Sequence, residues 1–351
     1  MLENLEINSI VQRELNMLVV KNENLFKKLD NKTVVISGAT GLIGSQLVLA
    51  FALYNKIYGK NISIIALIRN FDKAKTLFGK LYPKINFIKA DIRKITNINH
   101  PVDIIFHTAA ITQSKFMIEQ PVDTLDVMYQ GTKQLLEIAR QHGSKFVYIS
   151  SMEAFGITDP KKSVIKEDDI GYIDLSNIRS TYSEGKRVCE LLSTAYAAQY
   201  NLKTYNVRLA QSFGPGSNQK DTRIFSYFAN SALQNKDILI KSSGKSMGNY
   251  VDIRDALTAI LVISQQGDVG KTYTAVNEKS TMSITDLAML VSNRFSNGKS
   301  KVVIQNNSVE KQKFAPDTTM RLSSSNLRAI GWHPDYTITD MFDDMISSWN
   351  G

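Results

Sequence analysis

The chain has 351 residues, 43% of them apolar and 21% charged, which is ordinary for a globular protein and more than one small core supports. Its formal net charge of +9 is scattered in short pairs such as Lys27-Lys28 and Lys161-Lys162, so it reads as a solvated surface and offers no basic block for nucleic acid. A single cysteine, Cys189, excludes an internal disulfide and a cysteine metal site, and His100, His107, His142 and His333 lack metal-ligand spacing, so no metal site is expected.

No apolar run reaches the roughly 18 to 20 residues that span a bilayer, so no membrane insertion is expected. The first thirty residues carry Glu3 and Glu6 and have neither a basic start nor an apolar h-region, which predicts cytoplasmic residence. Within them Leu5, Ile10, Val11, Leu15, Leu18 and Val19 alternate with charges in the pattern of an amphipathic helical extension docked on the main domain.

The stretch NKTVVISGATGLIG, from Asn31 to Gly44, predicts a buried strand at Thr33 to Ile36, a glycine turn and a helix from Leu42. Gly38 permits the tight turn, Gly41 lets a pyrophosphate approach the backbone, and Gly44 lets helix and strand pack closely. The helix N-terminus then offers its free N–H groups to the phosphates, with Thr40, Leu42 and Ile43 in the same cofactor-binding turn. Strand, spacing and helix together predict dinucleotide binding.

Further strands are predicted at Ile62 to Ile68, Ile85 to Ile88, Asp103 to His107 and Phe146 to Ser150, with helical stretches between. That alternation predicts an α/β Rossmann fold, a doubly wound parallel sheet whose ligand lies beyond the strand C-termini. After the second strand stands Arg69-Asn70, where an acidic residue would bond the ribose 2′-OH of NAD. Arg69 either faces a 2′-phosphate, which tilts the cofactor toward NADP, or is an exposed loop arginine. Asp91, with Ile92 beside it in the cofactor set, accepts from an adenine amino group or caps the next helix.

Two clusters carry the chemistry: Ser150-Ser151-Met152-Glu153-Ala154-Phe155-Gly156 at the end of the fifth strand, and Tyr182-Ser183-Glu184-Gly185-Lys186. A tyrosine and a lysine four residues apart share one helix face. The ammonium is expected to lower the phenol's pKa from about 10 toward neutrality, so that Tyr182 takes the proton of a sugar hydroxyl while hydride leaves the same carbon. Ser151 holds the substrate oxygen in this reading, and Glu153 is a single carboxylate able to act as acid or base. Cys189, seven residues past Tyr182, reads as a small core residue.

These segments resemble the extended short-chain dehydrogenase/reductases of the nucleotide-sugar epimerase/dehydratase family. The resemblance covers residues 31 to 345 and runs through GATGLIG (38 to 44), ADI (90 to 92), HTAA (107 to 110), SSMEAFG (150 to 156), RSTYSEGKR (179 to 187) and RLAQSFGPG (208 to 216). The pattern from Arg179 to Arg187 is similar to that of UDP-glucuronate decarboxylases. The resemblance implies Ser151 as hydroxyl-binding residue, Tyr182 as base, Lys186 as pKa-lowering and ribose-binding residue, and Ala109 and Ala110 in the cofactor cleft. It also implies a homodimer through the helix bearing Tyr182 and Lys186, packed on the helix near Gly131 to His142, and a place in surface-polysaccharide precursor synthesis.

Departures from the family pattern concern the exact reaction. Gly248 stands where relatives carry an arginine for a diphosphate or carboxylate, which weakens decarboxylation, because a glycine cannot pair with a carboxylate. Met152 stands where 4,6-dehydratases have the first acid of a pair, which weakens dehydration. Gln211 replaces a common asparagine and can still bond a diphosphate. Arg223 approaches the nucleotide or is a surface arginine at a helix start, and Lys241 and Lys245 either replace the missing diphosphate charge or lie on the surface.

Val251 to Asp255 reads as a strand-to-helix return, Asp255 as structural or a cap, Ser283 to Phe295 as a helix with Ser283 as possible N-cap, and residues 318 to 345 as the last substrate-domain elements. Trp332 and Trp349 are expected to pack the smaller domain. The expected organisation is a helical extension over 1–30, an NAD(P)-binding domain over 31–210 with its sheet completed near 250–265, and a mainly substrate-binding domain over 211–351. The expected activity is hydride transfer at C4 of a nucleotide-activated sugar, as an epimerase or 4-keto reductase. UDP-glucuronate decarboxylation or 4,6-dehydration is the alternative, and a non-catalytic dinucleotide sensor the remote one.

Overall fold

The structure, a computed structural model, describes residues 4–305 and 318–350. Helices α1 (Ser9–Lys21) and α2 (Glu23–Lys27) precede a βα alternation: β1 (Thr33–Ser37), α3 (Leu42–Tyr58), β2 (Ser63–Ile68), α4 (Phe71–Phe78), β3 (Asn86–Lys89), β4 (Ile104–His107), α5 (Ser114–Glu119), α6 (Pro121–His142), β5 (Lys145–Ser151), α7 (Ser180–Tyr200) and β6 (Thr204–Leu209). The strand β11 (Thr272–Ala275) closes a seven-stranded, wholly parallel sheet in the order β11-β6-β5-β4-β1-β2-β3. Because helices cover both faces, the central strands are buried throughout and read as continuous apolar runs, as IIFH does in β4.

One core layer joins α3, α9 (Ile253–Gln266) and the apolar side of α1 and α2, through Val11, Leu15, Leu18, Val19 and Phe26. The other face carries α6 and α7, with Met128, Leu135, Tyr148, Tyr182 and Cys189 in a second cluster. A third cluster, around Phe213, Phe225, Tyr250, Leu287 and Phe342, is built from β7 (Gln211–Phe213), α8 (Ile224–Leu233), β8 (Ile238–Ile240), β9 (Met247–Gly248), β10 (Tyr250–Asp252), β12 (Met282–Ser283), α10 (Ile284–Ser296), β13 (Val302–Ile304) and α12 (Ile338–Ser348). The short α11 (Ser325–Ala329) packs beside β11.

Several elements differ from expectation. The strand expected at Ile85 to Ile88 begins one residue later, because a 3-10 turn over Gly79–Lys84 engages the Ile85 N–H through Tyr82 O. The sheet is not completed near 250–265: Ile253–Gln266 is a helix, and Tyr250–Asp252 pairs only with β7, while Thr204–Leu209 and Thr272–Ala275 supply the missing strands. Their sequences, TYNVRL and TYTA, carry polar residues that are buried in pairs, so hydropathy alone hides them. Trp332 belongs to the core under α9, where its Nε1 donates to Asp255 O at 3.0 Å, and only Trp349 packs on the smaller cluster. Ser283 caps α10 by accepting from the Asp286 N–H at 3.0 Å.

Candidate active site

The sheet order reverses between β1 and β4, and a crevice opens beyond the C-terminal ends of strands at such a point. Here it is a cleft of about 940 Å³. Its floor is the turn between β1 and α3. Gly38 has φ +66°, and a Cβ there would lie 2.7 Å from the Ala109 backbone. A Cβ on Gly44 would strike Gly38 O and stand 2.7 Å from Thr108 Oγ1. Gly41, the N-cap residue of α3, meets only Gly38 O within 4 Å, so the first N–H groups of α3 face the cleft beside Thr40, Leu42 and Ile43. A pyrophosphate fits that cradle by backbone donors and helix dipole.

The adenosine end is lined by Arg69, Lys73, Asp91, Ile92 and Arg93. Arg69 is exposed. Arg93 donates to both carboxylate oxygens of Asp91, and this holds Asp91 below the usual carboxylate range. The Arg93 backbone N–H also donates to Asp91, closing a turn in the cleft wall; no helix follows before β4, so Asp91 is not the expected helix cap.

Ala109 and Ala110 line the cleft after β4. Behind them His107 is buried, sharing hydrogen bonds with Ser37 Oγ at 2.7 Å and Thr132 Oγ1 at 3.0 Å. Burial and the nearby Lys186 charge push its imidazole down to about 3, so it stays neutral.

Ser151, Glu153, Tyr182 and Lys186 converge at the other end. The Ser151 hydroxyl lies close enough to the Tyr182 phenol to favour its ionised form, and Ser151 Oγ accepts the Glu153 N–H at 3.2 Å. Lys186 is buried, with Nζ 5.6 Å from the Tyr182 ring centroid and donating to Ile149 O at 2.6 Å. Burial pushes its ammonium down to about 8. The phenol of Tyr182 does not follow the expected direction: burial and the Glu153 carboxylate hold it above its usual value, opposed by Ser151 and Arg223. Lys186 gives one of its three N–H donors to the Ile149 carbonyl and keeps two. Glu153 is enclosed by the cleft walls but open to its water; the enclosure raises its carboxyl, against Arg179, a Ser183 hydrogen bond and Lys186.

Gln211 and Arg223 line the same cleft. Arg223 is held by Asp221 in a two-pronged pair, at 2.6 Å for the closer ion contact, so it combines the two expected places, helix start and cleft wall. Lys241 and Lys245 are exposed and do not line the cleft. At Gly248 any Cβ would collide with the Tyr250 ring, so that ring fills the space a side chain would need.

A model of the NAD dependent epimerase/dehydratase family matches residues 34–277. The chain belongs to that family. Among epimerase/dehydratase relatives, it is 25% identical over 309 residues to UDP-glucuronic acid decarboxylase 5 of Arabidopsis thaliana, covering 87% of this chain and 85% of that protein. Its fold is similar to UDP-glucose 4-epimerase of Thermotoga maritima solved with UDP-glucose, with TM-score 0.76 and 18% identity over 91% of this chain and 98% of that one. It is also similar to the Thermus thermophilus UDP-glucose 4-epimerase solved with NAD, with TM-score 0.69 and 19% identity over 91% and 99% of the two chains. At such identities the structural likeness establishes the fold, and the family to which the chain belongs is described as NAD dependent. Among the described residues no helix is long and apolar enough to cross a membrane, and no group of His, Cys, Asp or Glu could hold a metal.

Sequence reasoning placed Ser150 in the strand-end cluster but missed its buried partners behind the site, Glu190 and Arg208; Arg208 holds Glu190 through Nε and Nη2. Glu190 lies four residues past Lys186, and that helical spacing was the available signal.

Proposed function

We propose that the chain is a nucleotide-sugar enzyme that moves hydride at C4, as an epimerase or a 4-keto reductase. The supporting observation is one cleft that holds a dinucleotide turn at one end and Ser151, Tyr182 and Lys186 at the other, with Arg223 and Gln211 on the substrate side. A bound nicotinamide supplies a hydride acceptor that can return what it takes. Ser151 holds the C4 oxygen, Tyr182 takes or gives its proton, and Lys186 supplies positive charge behind the phenol and a donor for the cofactor ribose. Arg223 serves the diphosphate.

UDP-glucuronate decarboxylation is the second reading, favoured by the name of the sequence relative and by Glu153. Gly248 counts against it, since no side chain there can meet a carboxylate. Dehydration is weakened by Met152. On the cofactor, Arg69 with Lys73 supports a 2′-phosphate and NADP, whereas the family description supports NAD. The exposed apolar side chains Val122 and Leu125 on α6 and Val188 and Leu191 on α7 support a homodimer through these helices.

The test starts by denaturing the purified protein and weighing any released dinucleotide. UDP-glucose, UDP-N-acetylglucosamine and UDP-glucuronate are then followed by proton NMR without added cofactor, and 4-keto sugars with NADPH or NADH. C4 inversion or reduction is expected. Release of CO2 from UDP-glucuronate with no C4 product would replace the reading by decarboxylation. Tyr182→Phe is expected to lower turnover by about 10²- to 10⁴-fold with dinucleotide affinity kept; unchanged behaviour would favour the sensor.

A further inference from the structure

Ser150 pairs with Arg208 across β5 and β6, so their side chains stand next to each other on one face of the sheet, and both reach the same carboxylate on α7. Ser150 Oγ donates to Glu190 Oε1. Arg208 donates to Glu190 through Nε at 3.0 and 3.1 Å and through Nη2 at 2.7 Å. Its remaining Nη1 goes to Glu167 O at 2.8 Å, and its guanidinium lies 4.6 Å from the Phe155 ring centroid. The side chains of Arg208 and Glu190 are 7% and 8% exposed, so neither meets a substrate.

Tyr182, Lys186 and Glu190 follow one another at intervals of four on a single face of α7. Two consecutive residues at the end of β5 are bonded to that face, Ile149 O accepting from Lys186 Nζ and Ser150 Oγ donating to Glu190, and the next residue, Ser151, lines the cleft with Tyr182. Glu190 stands one helical turn past Lys186 and two past Tyr182, the residues of the proposed chemistry, and has no chemical task of its own. A buried ion pair of this kind is a weak stabiliser, because desolvation offsets much of its attraction. Here it ties α7 to two neighbouring strands, to β5 through Ser150 and to β6 through Arg208.

Building on the C4 hydride-transfer reading, we propose that Glu190, clamped by Arg208, is a positioning residue that holds Ser150 and thereby sets Ser151 against Tyr182 and Lys186. Misplacing reacting groups by about 1 Å can lower a rate by about 10²-fold, so such a clamp has a measurable effect on turnover while leaving binding intact.

Two variants test it in the dinucleotide-loaded protein. Ser150→Ala removes one hydroxyl and keeps the ion pair; the double variant Glu190→Met, Arg208→Met removes the pair without leaving a lone buried charge. Both are expected to lower kcat about tenfold or more, with KM and bound dinucleotide near wild type. In protein labelled with 13Cζ-tyrosine, the Tyr182 resonance, assigned by its loss in Tyr182→Phe, is expected to titrate about half a pH unit or more above wild type. A merely structural pair would change melting temperature and leave that titration and kcat alone, and this result overturns the proposal. If the double variant does not fold, Ser150→Ala decides by the same criteria. If the wild type turns over no nucleotide sugar, the functional reading falls, and the Tyr182 titration still decides whether the clamp positions the phenol.

Discussion

At the scale of single residues, His107 is buried between Ser37 of β1 and Thr132 of α6, and that environment makes a pH prediction. The folded-state pKa, about 3, lies below the 6.5 of an exposed imidazole, so the unfolded chain binds a proton that the native protein refuses. The stability that His107 contributes is complete above pH 6.5 and is lost as pH falls toward 3, at up to about 1.4 kcal/mol per pH unit. Urea unfolding at pH 7.5 and pH 5 is expected to show wild type losing about 2 kcal/mol more than His107→Gln across that interval. Equal losses in the two proteins would mean that the imidazole titrates normally. No local pattern in the sequence announces this group, because only the fold brings its partners together, whereas three glycines at fixed intervals and a tyrosine four residues before a lysine are patterns that a short window contains.

At the scale of elements, apolar strands and their following helices were legible, and elements held by buried charge were not. The first helix illustrates this. Its apolar stripe predicts docking, and Arg13 pairs with Glu14 at 2.8 Å, but nothing local predicts that Glu14 is buried, because its buried partner lies 240 positions away. Arg254, at the start of α9, meets Glu14 of α1, Asp252 at 2.8 Å and Asp344 of α12 at 2.7 Å, so one guanidinium joins the first helix, the last helix and the strand between the clusters. Arg254→Met leaves the buried Asp252 without its cation and leaves Glu14 only the half-exposed Arg13, and is expected to cost about 3–5 kcal/mol. Glu14→Gln keeps Arg254 paired with two acids and is expected to cost about 1 kcal/mol. The two variants are compared by chemical denaturation; similar losses would show that Arg254 acts through packing on Tyr336, whose ring centroid it approaches at 3.5 Å.

At the scale of the whole molecule, the two faces of the sheet are unequal. The α3 and α9 face is covered by α1 and α2, whereas α6 and α7 on the other face leave apolar side chains in water, Val122 at 72% and Leu191 at 69% exposure. Val122, Leu125 and Tyr129 follow one another at helical spacing along α6, and Val188 and Leu191 do so along α7. The same helix α7 turns Tyr182 and Lys186 toward the cleft on its opposite side, so a second copy seated on α6 and α7 would support the site from behind. Rows of exposed apolar side chains on two neighbouring helices are covered by an apolar surface of matching shape, which the twofold pairing of identical helices supplies. Light scattering on a sizing column is therefore expected to give twice the chain mass. The double variant Val122→Glu, Leu191→Glu places like charges in the contact and is expected to give the single-chain mass with the circular dichroism of the wild type. A monomeric wild type would leave these helices uncovered, and the dimer reading would fall with it.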